Sequence, residues 1–148
     1  MVQFVKTHFP QFDWIIDKRV QDGCSARRPD LFLDFGYFVL MIENDENQHY
    51  DYGGCSCENK RVMQLSQDVG HRPLIIIRFN PDDYVVHGKK ITSCWGTDKR
   101  GMACIKKSKA KEWTDRLQVL HDQIEYWTHP ENRTDKMIEV IHLFYDQE

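Results

Sequence analysis

Leu74-Ile75-Ile76-Ile77 is a run of four apolar residues between Pro73 and Arg78. A strand with no polar face must be covered on both sides, as at the buried centre of an α/β sheet. Phe38–Ile42 is a second apolar run. Both are far shorter than the roughly 20 residues that span a bilayer. Around them the spacing predicts the rest. Leu31–Phe35 and Phe38–Glu43 bracket Gly36 and read as a hairpin. Cys57–Val69, with its start at Ser56 or Cys57, reads as a helix with Val62, Leu65 and Val69 on one side. Lys107–Trp127 carries Trp113, Leu117, Leu120, Ile124 and Trp127 at alternating four- and three-residue spacing, which makes one apolar stripe. Met137–Tyr145 leans to strand on its β-prone residues. His8–Val20 reads as a short helix or turn, and His87–Gly101 as polar and irregular. The order α-β-β-α-β-α-β implies an α/β fold around a mixed sheet.

At 148 residues the chain fits one domain, 1–148, and 41% hydrophobic with 29% charged residues is a globular composition. MVQFVKTHFPQFDW lacks the apolar core of a secretory signal. The five cysteines are odd in number, which argues against a disulfide framework. The expected setting is intracellular, cytoplasm or nucleus, and not membrane-bound. Cys24, Cys55 and Cys57 could form a structural zinc site, but two CxxC-like knuckles are missing and simple thiols are the favoured reading.

The chemistry gathers where the second apolar run ends, in Glu43-Asn44-Asp45. Side chains alternate along a strand, so Glu43 and Asp45 share a face. If Gly36-Tyr37 is a two-residue turn, Phe35 pairs with Phe38 and Asp30 lies opposite Glu43. A slipped register would substitute Asp34. Opposed carboxylates repel unless a cation lies between them. Hard carboxylate oxygens suit Mg²⁺ or Mn²⁺, which would polarise a phosphodiester and activate water. The plain alternative is a set of strand-end acids paired with Arg27 or Arg28. His49 follows four residues after Asp45, in reach for general-base work.

Pro29-Asp30 followed by Glu43-Asn44-Asp45 resembles the PD-(D/E)XK nuclease superfamily, the restriction-endonuclease-like fold. Ile42–His49 is similar to the E-x-D-x-x-x-H signature near very-short-patch repair endonucleases and EDxHD homing endonucleases. Cys57–Arg61 and Arg78–Asp82 also resemble blocks of uncharacterised proteins from large DNA viruses and protists. The resemblance covers residues 13–95. It implies an αβββαβ core with a mixed central sheet flanked by helices. It further implies a metal held by Asp30 and Glu43, with the Asn44 carbonyl as an added ligand and His49 as base or water-orienting group. Asp45 stands where the superfamily usually has lysine, so it either binds metal or positions His49. Lys60, Arg61 or Gln64 on the next helix could replace that lysine. Arg78 could clamp a phosphate, or pair with Asp82 or Asp83.

The formal charge is −3, which at first disfavours nucleic acid. Its distribution does not. Residues 87–111 hold Lys89, Lys90, Lys99, Arg100, Lys106, Lys107, Lys109 and Lys111 against Asp98, a local +7 within a chain that is otherwise −10. Such a patch releases counterions from phosphates, and Trp95 within it could stack on a base. With Arg27, Arg28, Arg61 and Arg78 it forms the expected DNA-contacting set. The leading expectation is a Mg²⁺-dependent DNA endonuclease, homing-like or repair-like. A double-strand cutter of this size is expected to act as a homodimer. The rivals are a non-catalytic nucleic-acid-binding module on the same fold and a zinc-tied interaction protein.

Overall fold

The computed structural model describes residues 1–18, 29–46 and 55–147, without the side chains of 55–58. A five-stranded sheet forms the centre. Its order is β1 (Ile15–Ile16), β2 (Leu31–Asp34), β3 (Val39–Asn44), β4 (Leu74–Phe79) and β9 (Ile138–Leu143). Only β2 runs antiparallel to its neighbours; β3, β4 and β9 are parallel. The sheet is therefore mixed and the class is α/β.

Every residue of β4 is buried, as its unbroken apolar run requires. Alternation along the strands divides the core in two. Leu31, Leu33, Leu40, Ile42, Ile75, Ile77 and Phe79 face α1 (Val2–His8) and α3 (Ala110–Thr128), meeting Val5, Leu120 and Ile124. Phe32, Val39, Met41, Leu74 and Ile76 face the other way, onto Leu65 of α2 (Cys55–Asp68) and Val69 just after it. The stripe Trp113, Leu117, Leu120, Ile124 and Trp127 all joins the first cluster.

The hairpin register follows the turn. Gly36 has φ +84°, a conformation L side chains rarely adopt. The Phe35 amide donates to the Phe38 carbonyl at 3.0 Å, and Leu31 sits opposite Ile42. Arg72 locks the turn. Its guanidinium donates to Asp34 at 2.7 and 2.9 Å, to the Gly36 carbonyl at 3.0 Å and to the Val69 carbonyl at 2.9 Å. Asp34, the competing partner for Glu43, is therefore committed at the opposite end of the hairpin.

Two expectations need correction. The N-terminal helix covers Val2–His8, and Ile15–Ile16 is a strand, not helix. Pro10 explains the early stop, because the residue before proline is pushed out of the helical region. The stretch after β4 is not irregular. It holds two antiparallel hairpins, β5 (Tyr84–Val86) with β6 (Lys89–Ile91) and β7 (Trp95–Thr97) with β8 (Ala103–Ile105). Among the described residues no helix is long and apolar enough to cross a membrane.

Candidate functional site

The polar residues of the α2 side lie at the carboxyl end of β3, β4 and β9. In open α/β sheets, ligands bind outside that end. Extending the Leu31–Ile42 register one step past the start of β2 sets Asp30 against Glu43. Glu43 pairs with Arg78, and Arg78 with His142. The ladder thus produces a transverse row, Glu43–Arg78–His142, across three adjacent strands, with Asp30 just before β2 at its end.

Glu43, Asp45 and Arg78 are 4%, 1% and 3% exposed, so their charges must be compensated inside the protein. Arg78 donates Nε–H to Asp45 at 2.5 Å and lies 3.7 Å from Glu43. Asp45 and Glu43 hold that guanidinium protonated despite its burial. Arg61 on α2 reaches Glu43 from the other side, with contacts of 2.5, 3.2 and 3.4 Å from its Nη2 and Nε. A forked donor matches a carboxylate in this way. The Tyr145 hydroxyl donates to Asp45, and its ring meets His142 edge-on at 4.7 Å.

Asp30 accepts a hydrogen bond from the Asn44 amide at 2.7 Å and forms no ion pair among the described residues. Desolvation raises its pKa above the ordinary carboxylate value. The Asn44 amide opposes that shift, and the charges of Glu43 and Asp17 add to it. Among the described residues, Asp30, Glu43 and Asp45 gather here with Arg61 and Arg78.

Each expected site residue can now be placed. Asp30 and Glu43 are neighbours, as the register argument required. Asp45 shares Glu43's side of the sheet, but its carboxylate turns to Arg78 and Tyr145. Arg78 is not an open phosphate clamp, and its carboxylates are Asp45 and Glu43 where Asp82 or Asp83 was expected. Burial at the strand end draws it inward to the nearest charges. Of the three residues proposed for the motif lysine, Arg61 makes the contact. Lys60 is exposed with no ion pair to the acids among the described residues, and Gln64 is half-buried one turn further along. His49, Arg27, Arg28 and Cys24 lie outside the described residues, as do the side chains of Cys55 and Cys57. Tyr145 and His142 were not foreseen. His142 lies on β9 and Tyr145 two residues after it, and only the sheet order brings that strand beside β4.

A metal set would use Asp30 and Glu43, whose hard oxygens suit Mg²⁺ or Mn²⁺. The desolvated Asp30 beside Glu43 fits a cation there. Among the described residues a group of three metal-ligating side chains lies elsewhere. His121, Asp122 and Glu125 on α3 have ligand atoms within 4.8 Å of one another.

The basic excursion is fastened at this same end of the sheet. Arg116, 2% exposed, donates to the carbonyls of Asn80, Asp82 and Thr92 at 3.3, 3.0 and 3.4 Å. Its guanidinium lies between the Tyr84 and Phe144 rings, at 5.0 and 5.3 Å. Asn80 donates to the Phe144 carbonyl at 2.8 Å. Gln147 pairs with β5 through Val85 and His87 at 2.7 and 3.2 Å. Lys89, Lys90, Lys99, Arg100, Lys106 and Lys107 are all exposed, although Lys90 pairs with Asp83 at 3.2 Å. Trp95 packs inside the β7–β8 hairpin's base. It is half-buried, edge-on to Trp113 at 5.4 Å, with its indole N–H enclosed. No family model, curated protein or solved structure matches this chain.

Proposed function

We propose that the chain is a metal-dependent endonuclease that hydrolyses DNA phosphodiester bonds on a restriction-endonuclease-like fold. The observation that carries this reading is Asp30 opposite Glu43 at the carboxyl end of the parallel strands. It is supported by α1-β1-β2-β3-α2-β4, which repeats the αβββαβ order of that superfamily. The exposed lysines mounted on the same sheet end supply a surface for phosphates.

Asp30 and Glu43 would hold the cation. A bound Mg²⁺ or Mn²⁺ supplies Lewis acidity to the phosphodiester and lowers the pKa of water. The chain's own groups do the positioning. Arg61 orients Glu43 through its fork and brings positive charge to the place where Asp45 cannot. Being 27% exposed, its side chain is reachable by a phosphate. Arg78 and Tyr145 fix Asp45 and so keep a second buried carboxylate from competing for the cation. His49 stands as the proposed base.

Supercoiled plasmid incubated with Mg²⁺ or Mn²⁺ should be converted to nicked or linear forms. Glu43→Gln and Asp30→Asn should each reduce that rate by at least 100-fold, about 3 kcal/mol of transition-state stabilisation. Undiminished cleavage by either variant would refute the assignment. A second reading is favoured by one observation: Glu43 is already held by Arg61 and approached by Arg78. On that reading the same fold binds DNA without cutting it. Gel shifts with no cleavage across both metals and across linear, mismatched and branched DNA would select it.

A further inference from the structure

The β7–β8 hairpin carries an unusual combination at its tip. Lys99 and Arg100 are exposed, Arg100 being 82% so, and Met102 is 61% exposed. An apolar side chain between cations and solvent makes no use of burial within this chain. The tip is nonetheless ordered. The Asp98 carboxylate accepts from the Arg100 amide at 2.8 Å and the Met102 amide at 3.0 Å. Gly101 closes the turn with φ +79°, its amide donating to the Asp98 carbonyl at 3.0 Å. Asp98 also lies 3.7 Å from Arg100, a mostly exposed pair that water screens.

The base of the hairpin is equally fixed. The Lys106 amide donates to the Cys94 carbonyl at 2.8 Å. Its aliphatic stem lies over Gly96, where an added Cβ would meet it at 3.2 Å. Trp95 is set against Trp113 of α3. The Ser93 amide donates to Asp83 at 2.6 Å, tying the base to the turn that leaves β4 just after Arg78. The result is a two-stranded ribbon, rigid at both ends and mounted on the sheet end that holds Asp30 and Glu43.

We propose that the β7–β8 hairpin enters the major groove of duplex DNA, with Lys99 and Arg100 on the flanking phosphates and Met102 against the base edges. This rests on the reading that the chain binds DNA. The major groove, about 12 Å wide, admits a two-stranded β-ribbon. Lys99 and Arg100 at the tip belong to residues 87–111, which carry the local +7 that complements phosphates. Ordering of the tip by Asp98 before contact lowers the entropy lost on binding.

The test is anisotropy of a fluorescein-labelled 20-base-pair duplex, titrated with the full chain between 50 and 200 mM NaCl in EDTA. Lys99→Ala with Arg100→Ala should weaken binding at least tenfold and lower the log–log salt slope by about 2, one per lost phosphate contact. Met102→Ala should weaken binding several-fold with the slope unchanged, since no charge is removed. Lys136→Ala, an exposed cation just before β9 and at the opposite end of the sheet, is the control for net charge. Wild-type binding with hairpin variants that match it, or that match Lys136→Ala in loss and slope, overturns the hairpin's role but leaves DNA binding intact. Absence of salt-dependent wild-type binding overturns both. Tighter binding to the single strand than to the duplex overturns the groove assignment.

Discussion

Replacing Arg78 with Met keeps the aliphatic stem but removes the guanidinium that faces both Asp45 and Glu43. Breaking a buried pair from one side costs about 3–5 kcal/mol, because the remaining charge is stranded in a poor solvent for it. Tyr145 still donates to Asp45 and Arg61 still reaches Glu43, so the lower end of that range, about 3 kcal/mol, is expected. For a chain of this size about 1 kcal/mol moves Tm by roughly 2–4 °C, which gives a drop of about 6–12 °C. Urea unfolding followed by fluorescence of the four tryptophans should show a lower midpoint at unchanged slope. Adding Asp45→Asn to the Arg78→Met variant removes the stranded charge and should return about 1–3 kcal/mol as a coupling energy. A loss below about 1 kcal/mol, or a double variant no more stable than the single, would show that solvent compensates these carboxylates and that the cluster is not an enclosed charge network.

The raised pKa of Asp30 and the lowered pKa of Asp34 have opposite consequences. The folded state binds the Asp30 proton more tightly, so this group's ionisation costs stability above its raised folded pKa. That cost fades as pH falls towards the ordinary carboxylate value. Asp30→Asn should therefore be more stable than wild type at neutral pH, with the gap closing in acid. Asp34, held down chiefly by Arg72, contributes above its ordinary pKa and loses that contribution as pH falls through the lowered one, so Asp34→Asn should be the less stable variant at neutral pH. Arg72→Ala should cost about 1–2 kcal/mol, more than an exposed ion pair alone, since two backbone carbonyls lose their donor as well. Arg116→Leu should leave the sheet folded but expose the bonds after Lys89 and Lys99 to trypsin, seen as early fragments in limited digestion; a digestion pattern like wild type would count against Arg116 as the anchor.

The elements that sequence shows best are those whose residue pattern has one structural solution. An apolar run such as Leu74–Ile77 can only be buried on both faces, and the Gly36 turn sets the hairpin register that brings Asp30 to Glu43. The short hairpins carry no such pattern. Lys89–Ile91 and Ala103–Ile105 are three residues each and half exposed, so period-2 alternation has no room to appear; His87-Gly88 at the first turn and Asp98…Gly101 at the second were the available signals. The acids of the site were legible because they end a buried strand. Their partners were not. Arg78 meets Asp45 through parallel pairing of β3 and β4, and Tyr145 meets it through the position of β9 in the sheet. Neither relation is encoded in local spacing.

The Asp45–Tyr145 contact joins residues separated by 100 positions. Tyr145 follows β9 by two residues, with Phe144 between them at φ +64°. During synthesis, Asp45 therefore emerges long before the strand that completes its surroundings. Arg78 can meet Asp45 as soon as β3 and β4 pair, but the Tyr145 hydroxyl reaches it only after β9 is added beside β4. A lesion in β9 that slows its docking should therefore leave Asp45 with Arg78 but without the Tyr145 hydroxyl, a change in the surroundings of one carboxylate ahead of any change in secondary structure.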